Sequence, residues 1–289
     1  MKNIVIVSGK GGTGKSTIAA CLVQIVPDKM IADCDVDAAN LHLILDHEVF
    51  QTSDYEGASI AEIDADRCVA CGICRQVCRF SAITPDYIVL PLACEGCAAC
   101  TVLCPTEAIR MKTVKTGETY LSRSPLGTFS HAELEIGAEG SGKLVTEVRK
   151  NLYTVEQGET VTIIDGSPGI GCVVIASITG TDGVLAVAEP TQSGLHDLKR
   201  VLAVADHFHV PGFVCINKWD INPAMTEMIE SWCKEHDYPV IARIPFEPAV
   251  MEALKQRLTP VDANLESVIE PIHEIWRFLA STLLLDSNN

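Results

Sequence analysis

Eight of the thirteen cysteines fall in two runs of the same spacing. One holds Cys68, Cys71, Cys74 and Cys78; the other holds Cys94, Cys97, Cys100 and Cys104, followed by Pro105. Thiolates at i, i+3 and i+6 in a compact loop can reach three irons of one cube, and a more distant cysteine must then complete it. The spacing therefore predicts two 4Fe-4S clusters. A pair of zinc sites would ordinarily use two Cys-x2-Cys pairs each, without the third cysteine that both runs supply at the same interval. A disulfide framework is not expected, because no apolar secretory segment precedes the domain and thiols in the cytoplasm stay reduced. Gly72 and Gly96 allow close backbone turns, and Ala70, Ala98 and Ala99 leave room for a cube. Ile73, Val77, Ile83, Val102 and Ile109 offer apolar cover. Each run is followed by an Ala-Ile pair, Ala82-Ile83 and Ala108-Ile109, so the segment reads as a duplicated half-domain. One departure is that Arg79, not proline, follows Cys78.

A second chemistry lies at the amino terminus. An apolar run over residues 4–7 leads into Ser8, Gly9, Lys10, Gly11, Gly12, Thr13, Gly14, Lys15, Ser16 and Thr17. Strand, glycine loop and helix in that order form a phosphate-binding P-loop. Residues Gly9 to Thr17 are the expected nucleotide contacts, with backbone N–H groups converging on phosphate oxygens at the positive end of a helix over 15–26. Lys15 is expected to reach the β- and γ-phosphates, and Ser16 to hold Mg2+ through its hydroxyl.

The cysteine runs resemble a bacterial ferredoxin. In that pattern the fourth ligand of each cluster comes from the other run, which assigns Cys68, Cys71, Cys74 and Cys104 to one cluster and Cys94, Cys97, Cys100 and Cys78 to the second. The loop, with Lys10 just before its Gly-Gly pair, resembles the deviant P-loop of the MinD/ParA superfamily, which includes the Mrp and nitrogenase iron protein groups. The resemblance implies that Lys10 reaches across an ATP-dependent homodimer to the partner's nucleotide. It implies that Asp35, in the Asp33, Asp35, Asp37 segment, orients attacking water; Asp33 and Asp37 are secondary candidates, and Asp37 could equally cap the helix that follows. It further implies that Asp165, at the end of an apolar run over 161–164, contacts the magnesium shell, and that the Gly169 N–H senses the γ-phosphate. Asn217 would recognise adenine, with residues 244–247 as a second base-contacting stretch. Ordinary turn chemistry at a strand end is the alternative for both.

These residues need a scaffold, and the rest of the chain alternates as a parallel α/β protein does. Strands are expected over 183–188, 213–216 and 240–244, and helices over 193–207, 223–236, 247–258 and 268–285. The fold class is thus an α/β P-loop NTPase, a mainly parallel sheet flanked by helices, with an inserted ferredoxin-like α+β domain. The expected boundaries are 1–58 and 115–289 for the ATPase and 59–114 for the insertion. Residues 120–148 are the least readable stretch and carry no catalytic assignment. Of the remaining cysteines, Cys21, Cys34, Cys215 and Cys233 read as buried thiols. Cys172 follows the Asp165 segment, but no second cysteine accompanies it to build a cluster shared between subunits. His207 and His209 read as surface residues.

With 289 residues, of which 47% are apolar, the chain can bury an extensive core. Mean hydropathy is +0.22, yet no uninterrupted apolar span of about 18 residues suggests membrane insertion. Its 38 acidic against 22 basic residues give a net charge of −16, which argues against non-specific nucleic-acid binding. The reading is a cytoplasmic, Mg2+-dependent ATPase, binding ATP and ADP. It would couple dimer switching to electron transfer through two 4Fe-4S clusters toward a redox or metalloprotein partner. The alternative is a metal-cluster assembly or carrier ATPase. A localisation ATPase would need a basic amphipathic C-terminal helix, whereas residues 269–285 carry few positive charges.

Overall fold

The computed structural model describes residues 1–155, 158 and 161–284. In chain order its elements are β1 (Lys2–Ser8), α1 (Lys15–Ile25), β2 (Lys29–Asp33), α2 (Leu41–Ile44), β3 (Glu48–Tyr55), β4 (Ala58–Ile63), α3 (Ile73–Val77), α4 (Ala99–Val102), β5 (Ile109–Val114), β6 (Gly117–Ser124) and β7 (Gly127–Leu134). They continue with α5 (Gly142–Leu152), β8 (Val161–Pro168), α6 (Cys172–Ile178), β9 (Gly183–Ala188), α7 (Gln192–His207), β10 (Gly212–Asn217), α8 (Pro223–Glu235), β11 (Val240–Ile244), α9 (Ala249–Lys255) and α10 (Glu266–Leu279). Of the expected helix over 268–285, Leu285 lies outside the described residues, and so does the tail at 287–289 that the sequence reads as frayed.

The chain divides into two compact units, one of residues 1–52, 119–133 and 140–289, the other of 53–118 and 134–139. The junctions lie outside the expected 59–114 because β3 and β6 run across them as continuous strands, and residues 134–139 join the smaller unit. Nothing in composition marks a boundary inside a strand.

The larger unit is built on a nine-stranded sheet in the order β11-β10-β9-β1-β8-β2-β7-β6-β3. Every pairing from β11 through β7 is parallel. Its central strands read as unbroken apolar runs, Ile4 to Val7 and Val184 to Ala188 being almost wholly buried, as strands covered on both faces must. On one face α1 buries Ile18, Cys21 and Leu22 against Val268, Ile272, Ile275 and Leu279 of α10. Residues 120–148 supply the β6–β7 hairpin and the start of α5, whose Ser141 side chain caps the Leu144 N–H. The parallel register brings the carboxyl ends of β1, β2, β8 and β10 together, the place where open α/β sheets bind ligands.

The smaller unit pairs β4 with β5 antiparallel, Ile63 opposite Ile109. Its core consists of Ala61, Cys74, Ile83, Cys100 and Ile109, with Val77, Tyr87 and Met111 packed against them. Val102, expected as apolar cover, is 81% exposed, because the short α4 turns that face outward.

Candidate functional site

After β1, Gly14 enters α1 with φ 88, a left-handed conformation that glycine adopts without strain. Asn217 at the end of β10 donates from Nδ2 to the Thr13 carbonyl at 2.7 Å, and its Oδ1 accepts from Lys218 N–H at 3.0 Å. Asn217, expected at adenine, thus ties down the loop through Nδ2, while its Oδ1 is taken by the adjacent backbone. The residue also lines a cleft of about 440 Å³ with Gly11 to Ile18, Asp35, Pro168, Ile244, Pro245, Phe246 and Glu247. That volume suits a small ligand.

At the floor of the cleft, Lys15 Nζ lies 2.6 Å from Asp165 Oδ1, 3.1 Å from Asp35 Oδ2 and 3.2 Å from Ser16 Oγ. The register of β2 and β8 sets Asp33 beside Asp165. Burial pushes the Asp33 carboxyl up to about 7, the Asp165 charge adding to it, while Lys15 and the N–H groups of Leu41 and Asp35 oppose. Asp33 accepts from the backbone of Asp35, Asn40 and Leu41, so it braces the loop and does not face the cleft's ligand space. Burial also raises Asp35, against the pull of Lys15. For Lys15 burial works to lower the pKa, but Asp165 and Asp35 outweigh it and hold the ammonium above its ordinary value. Asp165 Oδ2 and Thr13 Oγ1 are buried without a hydrogen-bond partner among the described residues. A hydrated Mg2+ would satisfy that carboxylate oxygen, so the donor set fits the ion. Gly169 has φ 96, and its N–H donates to Ser8 O at 2.8 Å. Lys10 Nζ lies 3.5 Å from Glu189 Oε2 and 3.5 Å from Ser193 Oγ of its own chain. Glu189 also pairs with Lys218 at 2.5 Å. Glu189 escapes a reading of the sequence, since nothing in its spacing ties it to Lys10.

A model of the CobQ/CobB/MinD/ParA nucleotide binding domain matches residues 4–261. The chain belongs to this family. An uncharacterized protein of Methanocaldococcus jannaschii is 33% identical over 96% of this chain and 95% of its own length. A cytosolic Fe-S cluster assembly factor of Caenorhabditis elegans, a NUBP1 homolog, is 25% identical over 92% of this chain and 76% of its own. Among solved structures, the MinC:MinD cell division protein complex of Aquifex aeolicus aligns over 97% of this chain and 96% of that one, with a TM-score of 0.58 at 17% identity, a likeness of fold. The larger unit is accordingly a MinD/ParA-type P-loop ATPase domain that binds ATP. No helix among the described residues is long and apolar enough to cross a membrane.

The smaller unit brings the cysteines together in two cavities. One is lined by Cys68, Cys71, Cys74 and Cys104, with Ile63, Ile73 and Ile109 among its walls. The other is lined by Cys94, Cys97, Cys100 and Cys78, with Phe80, Ile83 and Met111. Backbone N–H groups point at sulfur: Ala108 at Cys104 (3.3 Å), Ala82 at Cys78 (3.4 Å) and Ala61 at Cys94 (3.5 Å). Burial opposes the Cys104 thiolate, but the amides of Ala108 and Thr106 outweigh it and hold that thiol below its ordinary value. Burial raises Cys74 and Cys100, with crowding by neighbouring thiols adding to it. Gly96 passes the β4 backbone so closely that a Cβ would lie 2.3 Å from Ser59 O. Ala70 and Ala98 take left-handed conformations. No group of three or more His, Cys, Asp or Glu side chains among the described residues converges on a position for a metal ion. Four thiols around an apolar pocket, with amides aimed at sulfur, are the donor set that a polynuclear iron–sulfur cube uses.

Cys172 is exposed at the start of α6, and the other four cysteines outside the runs are buried. His209 is likewise a turn residue, its ring bonded to the Asp206 carbonyl at 3.0 Å.

Proposed function

We propose that this chain is an ATPase that carries two 4Fe-4S clusters in its smaller unit and couples nucleotide binding and hydrolysis to electron transfer toward a partner metalloprotein. The observation that carries the reading is the sorting of eight cysteines into two cavities, each combining three from one run with the last or the fourth of the other. Cys68, Cys71, Cys74 and Cys104 would hold one cluster; Cys94, Cys97, Cys100 and Cys78 would hold the second. When bound, the clusters supply one-electron transfer. The chain's own residues provide apolar walls that exclude water and amides that stabilise thiolate charge.

In the larger unit, Lys15 would exchange its two carboxylate partners for phosphate oxygens. Ser16 would hold Mg2+, with Asp165 in its hydration shell. Asp35, relieved of Lys15, would then be free to orient the attacking water. ATP would favour a homodimer, with Lys10 reaching the partner's nucleotide, and loss of the γ-phosphate would release it. Swinging such an equilibrium from 1:99 to 99:1 takes about 5.5 kcal/mol of differential binding, a magnitude that charge-assisted contacts at Lys10, Lys15 and Gly169 could together provide.

A second reading, a cluster assembly or carrier ATPase, is favoured by the similarity to the Fe-S cluster assembly factor. Eight internal ligands with mutual exchange between the runs favour permanently held clusters instead. The deciding experiment uses anaerobically purified protein carrying about eight irons, incubated with Mg-ATP and an apo iron–sulfur acceptor. Iron retained through many turnovers supports electron delivery, whereas ATP-dependent transfer of iron to the acceptor supports the carrier. A colourless, iron-free preparation refutes both.

A further inference from the structure

We propose that residues 134–140 form a strap that carries the state of the phosphate-site loop to the turn bearing Cys94, with Asp37 as the positioning residue that sets it. The inference rests on the function proposed above, since it is polyphosphate at Lys15 that would change the loop.

One end of the strap is fixed in the larger unit. The Gly140 N–H donates to Asp37 Oδ1 at 2.7 Å. A Cβ at position 140 would lie 2.6 Å from that oxygen and 2.7 Å from Val36 Cγ2, so only glycine lets the chain press so closely on this loop. Asp35, two residues before Asp37, is one of the two carboxylate partners of Lys15.

The other end is fixed in the smaller unit. The Glu135 N–H donates to Thr116 O at 2.9 Å, and the Ala138 N–H closes a turn on Glu135 O at 3.0 Å. Gly137 has φ 87, and a Cβ there would sit 3.7 Å from Leu92 Cδ2. Leu92 belongs to a short 3-10 turn, Pro91–Ala93, and the next residue is Cys94, whose N–H bonds to Pro91 O at 3.3 Å. The two anchorages are joined through the peptide bond between Glu139 and Gly140, so a displacement at one is felt at the other through covalent geometry.

The physical sequence is short. Polyphosphate competes with Asp35 for Lys15; the released Asp35 carries its neighbours with it, and Asp37 withdraws from Gly140. The strap then loses its anchor in the larger unit, and the turn before Cys94 loosens. By reciprocity, a change at that turn alters nucleotide affinity by the same factor.

Hydrogen–deuterium exchange on the iron-loaded protein, with and without Mg2+ and a non-hydrolysable ATP analogue, tests this. Exchange at Gly140 is expected to rise on the order of tenfold when the analogue binds, the scale set by loss of one charge-assisted bond, and exchange over 91–94 to rise with it. Asp37→Ala should raise exchange at Gly140 without nucleotide, and Asp37→Asn, which keeps an acceptor oxygen, should restore protection. Inserting Gly-Ser between Glu139 and Gly140 should leave the response at Gly140 and abolish it over 91–94. Unchanged exchange over 134–140 with analogue bound, or an undiminished response at 91–94 through the lengthened strap, overturns the proposal. Nucleotide binding and iron content are measured on the same samples. Failure of either defeats the proposed function, while a silent strap in a chain that holds both defeats only the strap.

Discussion

Lys15 is 5% exposed and stands between Asp165 and Asp35, so its ammonium is held in the core by charges that would otherwise repel one another. Removing one partner of such a buried arrangement leaves uncompensated carboxylates, a cost of about 3 kcal/mol. Lys15→Ala is therefore expected to lower the unfolding free energy of the larger unit by that order, read by denaturant titration, and to abolish hydrolysis. Iron content should stay as in the wild type, because all eight proposed ligands lie in the other unit; concurrent loss of iron would show that the smaller unit cannot hold clusters without an intact phosphate site. Asp35 presents a different case. It is buried but lines the cleft, and it holds Lys15 by a longer contact than Asp165 does. Asp35→Ala should keep ATP affinity within a few-fold while turnover stops, as measured by calorimetry beside phosphate release. Hydrolysis at the wild-type rate would remove Asp35 from the water-orienting role.

At the scale of elements, the phosphate loop depends on a tie that the sequence does not reveal. A Cβ on Gly14 would lie 2.3 Å from Asn217 Nδ2, and the residue's φ of 88 already strains any other side chain. Gly14→Ala should displace Asn217 from the Thr13 carbonyl and weaken nucleotide binding by at least about tenfold, readable by calorimetry; unaltered affinity would show that the tie is dispensable. The strand at 183–188 was legible because a buried parallel strand is an unbroken apolar run, that at 240–244 because only Arg243 interrupts its apolar residues at the sheet edge, and the P-loop because glycine, lysine and hydroxyl must follow in that order. The β6–β7 hairpin was not legible, its partners β2 and β3 being far away in sequence. Nor was the ring cluster that β7 makes. His131 stacks between Phe129 and Tyr120, with His42 and His47 centroids 5.5 and 5.4 Å away. Burial first, and then the two neighbouring histidines, push His131 down to about 3. The unfolded chain, with an ordinary value near 6.5, therefore binds a proton that the folded chain refuses. Asp33, whose raised carboxyl takes up a proton on folding below about pH 7, contributes with the opposite sign, so the effect of His131 is the difference in stability between wild type and His131→Leu. That difference should be flat above about pH 6.5 and change by about 1.4 kcal/mol per unit below it, against the wild type. Denaturant titrations of both proteins at stepped pH check this.

For the whole molecule, the question is what it costs to bring two copies together. Each carries a net charge of −16, so association at low ionic strength works against repulsion that salt screens within about 8 Å at physiological strength. The residue that the resemblance sends across the interface, Lys10, is about one-third exposed and bound to Glu189 on its own chain at 3.5 Å. A partly exposed pair of this length holds by no more than about 1 kcal/mol, and Glu189 keeps Lys218 when Lys10 leaves. The lysine is therefore restrained but cheaply released, which suits the reach across the dimer proposed for it. Wild-type protein with a non-hydrolysable ATP analogue should double its mass in sedimentation velocity, more readily as salt is raised. Lys10→Ala should remain monomeric while still binding the analogue. Glu189→Gln should dimerise at a concentration lower by up to about thirtyfold, the factor that roughly 1 kcal/mol from each of the two protomers allows. Equal dimerisation of Lys10→Ala and wild type would remove Lys10 from the interface, because a contact made only across two chains cannot be deleted without shifting their association.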